Sequence, residues 1–470
     1  MDSQNRDDEA TQNSTGSSQT PLETEPTSAP PVPESIAPDE PLTPKPAPPA
    51  VTSHSPAPAA PVLSTPPTQE ALPKTPIEDQ ASTPPPTQHP VEPPIEPKKR
   101  KPLVIALVVL LIIALCGGAY AAYMFSKKKQ AASDEPVKVG VMMAFSGGSS
   151  SMGYGAMKGI QLAKKQLGAN NIEIVQMDSK CDPKEAAEAI KKLIAQKVVA
   201  IIGDGCSSAS VAALPAANNS KTIMVSPSSS SPTLSIPDDY FFRVVPPDTL
   251  QGSYIAQAIY DKGIRNVAVF YTNEPYGSGM NKVFQEKFEA LGGKVVATTT
   301  AEPDVITLNN QIQEMKAANP EAIFIAPNSV VSATAVINLA HEAGLNVPLY
   351  GADIMYDDTI IKNAPEASEG LIITSFPTGT KSFKQALQNE YKTTEQLYAA
   401  PQAYDAFNAI YKAVQKGART GEDIKKALPG ISFDGVSGHV TFDMYGDLGG
   451  KDYKYDLFQV KNGTFELIQQ

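Results

Sequence analysis

The residues best placed to do chemistry sit at two serine-rich strand ends. Ile201–Ser210 reads IIGDGCSSAS and Pro227–Pro232 reads PSSSSP; apolar runs of strand type, Val198–Ile202 and Thr222–Val225, lead into them. Small hydroxyl residues at a strand-to-helix junction present free backbone N–H groups and side-chain O–H groups, with the positive end of a helix dipole behind them. Such a junction can hold a carboxylate without a metal or an arginine. The alternative for any one of these serines is a plain helix cap.

Other chemistries find little support. The portion after residue 130 contains two histidines, His341 and His439, so a three-histidine metal site cannot be assembled, and HExxH, CxxC, GxSxG and GxxxxGK are all absent. Gly147–Gly155 matches a dinucleotide-binding turn only loosely, because a serine run interrupts the glycine spacing. The sequence therefore predicts no enzyme and no cofactor. The acidic balance, 50 Asp and Glu against 39 Lys and Arg, with no basic aromatic stripe, disfavours nucleic acid as a partner.

The elements that must position these serines alternate between strand and helix. Expected strands are Val137–Phe145, Ile172–Met177, Val198–Ile202, Thr222–Val225 and Phe241–Val245, with helices at Ala156–Leu167, Pro183–Gln196 and Ser207–Asn218. After the stiff Pro246-Pro247-Asp248 break and a helix at Thr249–Lys262, a second alternating set runs from Asn266 to Gly351, followed by a strand at Leu371–Ser375. Helices at Lys381–Lys392, Gln402–Gln415 and Glu422–Leu428 then need a sheet to cover, so the chain is expected to return to the first set. Closing strands are expected at His439–Phe442, Tyr453–Lys461 and Thr464–Ile468. The fold class is α/β, with doubly wound sheets.

Composition separates three parts. Residues 1–97 hold 25 of the 43 prolines and 14 acidic against 3 basic side chains, the signature of a disordered, partly polyproline tail. Residues 98–129 carry seven basic residues and no acid around Leu103–Phe125, an apolar run of 23 residues. As a helix that run is about 35 Å long, enough for an uncleaved transmembrane anchor. Lys98, Lys99, Arg100 and Lys101 ahead of it outnumber Lys127, Lys128 and Lys129 behind it, which favours a cytoplasmic N-terminus. The remainder, mildly acidic, is long enough for two domains.

Of the three cysteines, Cys116 lies in the apolar run, leaving Cys181 and Cys206. Each follows an expected strand, and one crossover helix joins the two strands, so their ends should lie together. A disulfide would close a loop of 25 residues and imply an oxidising compartment; two unrelated buried thiols are the other reading.

The residues resemble a known family. Lys138–Gly155 (KVGVMMAFSGGSSSMGYG), Asp178–Pro183 (DSKCDP), Ile201–Ser208 (IIGDGCSS), Val225–Pro232 (VSPSSSSP), Tyr276-Gly277 and Tyr350–Asp353 (YGAD) follow the order and near spacing of the leucine/isoleucine/valine-type solute-binding proteins of ABC importers. The resemblance implies a type I periplasmic-binding fold: two Rossmann-like lobes joined by three crossing segments, near Val245–Asp248, Ile373–Thr378 and His439–Asp443. Lobe 1 would comprise 136–246 and 378–440, and lobe 2 would comprise 247–374 and 443–470. It also implies the Cys181–Cys206 disulfide and a ligand held in the cleft as the lobes close.

Carried over by position, Ser207 would bond an amino-acid carboxylate, Ser228 would offer a carbonyl to the ammonium, and Ser230 would add its hydroxyl and amide. Tyr276 would reach the ligand from the second lobe, and Asp353 would pair with the ammonium. Met152 and Asn328 stand where relatives often carry aromatic residues, and Gly205 replaces an apolar residue, so the walls for the ligand side chain differ. A polar amino acid or a small amide is thus as well accommodated as leucine. The expected partners are the small-molecule ligand, an ABC permease and, through residues 103–125, the cell membrane. The alternative role is a sensor that signals closure to a membrane or cytoplasmic partner.

Overall fold

The computed structural model describes residues 107, 109–121, 123–124, 136–393, 397–450 and 453–469, all within one compact unit, Pro97–Gln470. Val137–Met143 (β1), Ile172–Asp178 (β2), Ala200–Gly203 (β3), Ile223–Ser226 (β4) and Phe241–Arg243 (β5) form a parallel sheet in the order β2-β1-β3-β4-β5. Every residue of β3 and β4 is buried, as expected of strands covered on both faces by the crossover helices Ser150–Gln166 (α1), Pro183–Ala195 (α2) and Ser207–Ser220 (α3). The strand order reverses between β1 and β3. A crevice beyond the C-terminal strand ends at such a reversal is the natural ligand position in an open α/β sheet.

Past Asp248–Asp261 (α4) the chain builds a second sheet. Its strands are Asn266–Thr272 (β6), Lys294–Ala301 (β7), Ala322–Ala326 (β8), Leu349–Gly351 (β9) and Ile372–Ser375 (β10), with the intervening helices Pro275–Ala290 (α5), Asn309–Ala317 (α6), Val330–Glu342 (α7) and Asp358–Asn363 (α8). The helix Lys381–Tyr391 (α9) leads to Ala400–Gln415 (α10), which returns to the first sheet: Phe407, Ile410 and Val414 share one core with Val139, Val141 and Ile202. After Gly421–Ala427 (α11) and a small ribbon of Phe433–Asp434 (β11) and His439–Val440 (β12), the strands Asp456–Lys461 (β13) and Thr464–Gln469 (β14) join the second sheet antiparallel to its edge. The completed order is β14-β13-β10-β9-β8-β6-β7.

Two differences from the sequence expectation have physical causes. The closing strand at His439–Phe442 shrinks to a two-residue ribbon outside both large sheets. The third passage between sheets also lies later than His439–Asp443, because the fully buried Arg243 holds the following loop on the first half. Its Nε donates to Asp447 Oδ1 at 2.7 Å, its backbone N–H donates to Gly446 O at 2.9 Å, and Phe442 and Leu448 pack into the first core. Arg243 also donates to the carbonyls of Ser229 (3.2 Å) and Ser231 (2.9 Å), tying this loop to the serine-rich strand end.

Among the described residues no helix is long and apolar enough to cross a membrane. The span expected at 103–125 is described only at 107, 109–121, 123 and 124, which are helical, with Leu110, Leu111, Ile113 and Leu115 all more than half exposed. The proline-rich stretch 1–97 lies outside the described residues.

Candidate functional site

At the end of β3 the chain turns through Asp204 and Gly205 into α3. The buried Asp204 fixes that turn: its Oδ1 accepts the Cys206 N–H at 2.9 Å, and its carbonyl accepts from Ser226 Oγ (2.5 Å), Ser229 Oγ (2.9 Å) and Ser210 Oγ (3.4 Å). Ser226 Oγ in turn accepts the N–H groups of Ser228 (3.2 Å) and Ser229 (2.8 Å). These serines are knitted into one shelf across the tips of β3 and β4. Burial pushes the Asp204 carboxyl up to about 7, against the lowering effect of its hydrogen bonds.

Cys206 caps α3 without supplying a side-chain acceptor, which leaves the first turn of the helix available to an external anion. Ser207 stands at that first position, 3% exposed, with its Oγ accepting the Ser231 N–H at 3.1 Å. Cys181 and Cys206 are disulfide-bonded with Cα atoms 5.4 Å apart, so the bridge ties the end of β2 to the head of α3.

The second half contributes acids and phenols. Glu274 caps α5, with Oε2 accepting from Tyr276 N–H at 2.8 Å and Oε1 from Gly277 N–H at 2.6 Å. That cap aims Tyr276, whose hydroxyl donates to Asp353 Oδ1 at 2.8 Å. Asp353, 1% exposed, opens a short 3₁₀ turn after β9. Its other oxygen accepts from Tyr398 OH, and Tyr398 also shares a 2.8 Å hydrogen bond with Ser228 Oγ.

Burial holds Asp353 above the usual carboxylate range even against the bonds from Tyr398 and Tyr276, and it holds Glu274 up as well. Asp248, buried at the head of α4, is held well above that range by burial and by the charge of Asp353. Burial, reinforced by Asp353, also raises both phenols well above their ordinary value. This side of the cleft is dry and rich in acidic groups whose charged forms burial disfavours, a penalty that a bound cation would relieve.

Ser207, Ser208, Ser228, Glu274, Tyr276, Asn328, Asp353, Ile354 and Tyr398, together with Gly205 and the disulfide, enclose a cavity of about 20 Å³. That is room for about one water. Of the residues expected from sequence, Ser207, Ser228, Tyr276, Asn328 and Asp353 thus converge on one place. Asn328 is 8% exposed, and its Oδ1 has no hydrogen-bond partner among the described residues.

Ser230 and Met152 do not line the cavity. Ser230 is buried behind it, with its carbonyl accepting the Asp248 N–H at 2.8 Å. Met152 packs in the first core, and a Cβ on Gly205 would lie 2.7 Å from its Sδ. Met152 and Gly205 are therefore one packing exchange, with the long thioether filling the space that the small residue leaves. Among the described residues no group of three or more His, Cys, Asp or Glu side chains is placed to hold a metal ion.

Glu274, Ile354 and Tyr398 escaped the sequence reading. Glu274 had a signal, an acid directly before Pro275 at the first helical position. Tyr398 had none, since it precedes α10 in sequence and reaches Asp353 only through the fold. The fastening is visible on α1: a Cβ on Gly155 or Gly159 would run into the carbonyls of Tyr398 and Ala400.

A model of the family described as periplasmic binding protein matches residues 136–464. The chain is 26% identical to a leucine-, isoleucine-, valine-, threonine- and alanine-binding protein of Pseudomonas aeruginosa over 314 residues, 64% of this chain and 82% of that protein. It is 25% identical to the Leu/Ile/Val-binding protein of Escherichia coli K12 over 350 residues, 70% of this chain and 92% of that one. Among solved structures, a leucine-binding protein of Thermotoga maritima aligns with a TM-score of 0.66 at 28% identity, covering 71% of this chain and 98% of that chain. A branched-chain amino-acid substrate-binding protein of Streptococcus pneumoniae, solved with isoleucine, aligns with a TM-score of 0.65 at 26% identity, covering 71% and 99%.

Proposed function

Because the chain belongs to the periplasmic binding protein family, a family of solute-binding receptors and not of enzymes, we propose that it captures an amino acid or a related small amide by cleft closure. It then delivers that solute to an ABC permease. The observation that carries this reading is the convergence of two unlike half-sites on one buried cavity. Hydroxyls and an uncapped helix start lie on the first side, and Asp353 with its phenols lies on the second. A zwitterion needs donors at one end and a carboxylate at the other, and a dry cleft strengthens both interactions.

In this reading Ser207 receives the ligand carboxylate while Ser228 and Asp353 receive its ammonium. Tyr276 closes over it, and Ser230 supports the shelf from behind. Asn328 meets the side chain, and its unpartnered Oδ1 favours ligands with a donor there over purely aliphatic ones. The first sheet with α10 forms lobe 1 and the second sheet with β13 and β14 forms lobe 2.

Residues 103–125 anchor the receptor, with the N-terminus cytoplasmic and the lobes extracytoplasmic. The uncharged run and the large apolar side chains exposed along its described part support that assignment. Retention in the membrane pellet after alkaline extraction is the expected result.

The functional test is a thermal-shift screen of the twenty amino acids and simple amides on the oxidised full-length chain in detergent. A ligand at a hundred times its Kd adds about 2.7 kcal/mol of stability. An unchanged shift in Asp353→Ala would remove the pocket from consideration. A second reading, a sensor that reports closure, is favoured by the proline-rich 97-residue stretch ahead of the apolar run. Co-purification of a regulatory protein in place of a permease would select it.

A further inference from the structure

We propose that Tyr398 is a latch that competes with the ligand's ammonium for Asp353 and holds the two halves in a closed, ligand-excluding conformation. Asp353 belongs to the second half, following β9, whereas Tyr398 immediately precedes α10, which packs on the first sheet. The Tyr398–Asp353 hydrogen bond therefore spans the cleft. Its base is rigid: the Tyr398 and Ala400 carbonyls sit in the notch that Gly155 and Gly159 leave on α1, and the Tyr398 ring stacks on Phe376 at 6.4 Å between centroids.

The same hydroxyl pairs with Ser228 Oγ at 2.8 Å, while Tyr276 OH takes the other Asp353 oxygen at 2.8 Å. Ser228 and Asp353, the groups assigned to the ammonium end of a ligand, are thus already joined through the Tyr398 phenol. The cavity beside them, about 20 Å³, is too small for an amino acid, so this arrangement and a bound ligand exclude one another. Two lesser bonds cross with it, Ser231 Oγ to Pro275 O at 2.9 Å and Ser149 Oγ to Asn328 O at 3.3 Å. Only the Tyr398 bond ends on a charged group, the stronger kind.

The ligand's apparent affinity is then set by two steps, displacement of Tyr398 and occupation of Asp353. A protein whose competent state is a minor fraction binds more weakly by that fraction.

Spin labels carried by non-canonical amino acids at positions 151 and 331 test this in the full-length chain in nanodiscs without ligand. Both positions are exposed and line the groove between the halves, so their separation reports opening. The wild-type distances should be mostly short, and Tyr398→Phe should lower the closed-to-open ratio by about tenfold or more, the worth of a hydrogen bond to a charged group. Ser228→Ala, which unties the hydroxyl from its second partner, should shift the ratio in the same direction by less, and it serves as the test if Tyr398→Phe does not fold. Distance distributions unchanged by these substitutions, or a wild type already open, overturn the latch. The proposal rests on the amino-acid reading only for what displaces the phenol. A failed ligand screen with a Tyr398-dependent distance would sink that reading alone, and a successful screen with an indifferent distance would sink the latch alone.

Discussion

The two sides of the cleft are polar in different ways. On the first side Asp204, Ser210, Ser226 and Ser229 bond to one another and to their own backbone, so these bonds of the shelf all lie within one half. On the second side Asp353 takes one bond from its own half, Tyr276, and one from across the cleft, Tyr398. A self-sufficient network holds shape whatever the halves do, whereas a shared one changes whenever they move. The shelf is accordingly the fixed platform, and the acid with its phenols is the part that responds. Substitutions in the shelf should change stability, and substitutions around Asp353 should change affinity.

The largest expected effect concerns the shelf. Asp204 is raised from 3.8 to about 7 in the folded chain, so the native state binds its proton more tightly than the unfolded state does. Stability contributed by the protonated form is present below the unfolded value and is lost as pH rises from about 4 to about 7, by up to about 4 kcal/mol at 1.36 kcal/mol per unit. Urea titrations across that range should show the decline, and Asp204→Asn should flatten it. A slope unchanged in the variant would separate Asp204 from the effect and assign it to the other carboxyls that burial raises, among them Asp405 and Asp239, each raised to about 6, and Asp248, Asp353 and Glu274.

Next in size is the disulfide, which closes a 25-residue loop beneath the shelf. Reduction, or paired Cys181→Ser and Cys206→Ser, should cost about 3 kcal/mol in chemical denaturation. On the responsive side, Asp353→Ala should weaken amino-acid binding by at least about a hundredfold in calorimetry with the melting temperature of the free protein little changed, since it leaves the ammonium unpaired. A large fall in stability with affinity intact would reverse the roles assigned to the two sides.

Smaller effects sharpen the contrast. Gly205→Ala should cost about 2 kcal/mol by overpacking against Met152, with partial recovery in the double variant with Met152→Ala. Additive costs would show that the two positions do not share space. Tyr276→Phe, which removes one phenol bond to Asp353, should raise Kd by about tenfold with stability unchanged.

The shelf and the succession of strands along the chain were legible in the sequence because both are written locally. Buried strands such as Ile201-Ile202 and Met224-Val225 read as apolar runs, and the serines follow them directly. The other stated helix limits fell within two residues, whereas the helix expected at Ala156–Leu167 begins at Ser150, six residues earlier. The responsive side was half legible. Asp353 and Tyr276 were found through a resemblance, whereas Tyr398 depends on a helix returning 45 residues after Asp353 to a sheet built before it, a relation no local pattern encodes. Met152 and Ser230 were expected at the site through the same resemblance, and the structure packs them outside the cavity lining.

Arg243 has a consequence for how such a receptor bends. One guanidinium clamps the carbonyls of the serine loop and the carboxylate of Asp447, so the loop after β12 cannot swing independently of the strand tip it serves. The stretch from Phe442 to Leu448 then travels with the first half, like a door whose lower leaf has been screwed to its frame. Drift in sequence at 243 or 447 would have to be concerted, because a lone change at either would strand a charge in a dry joint.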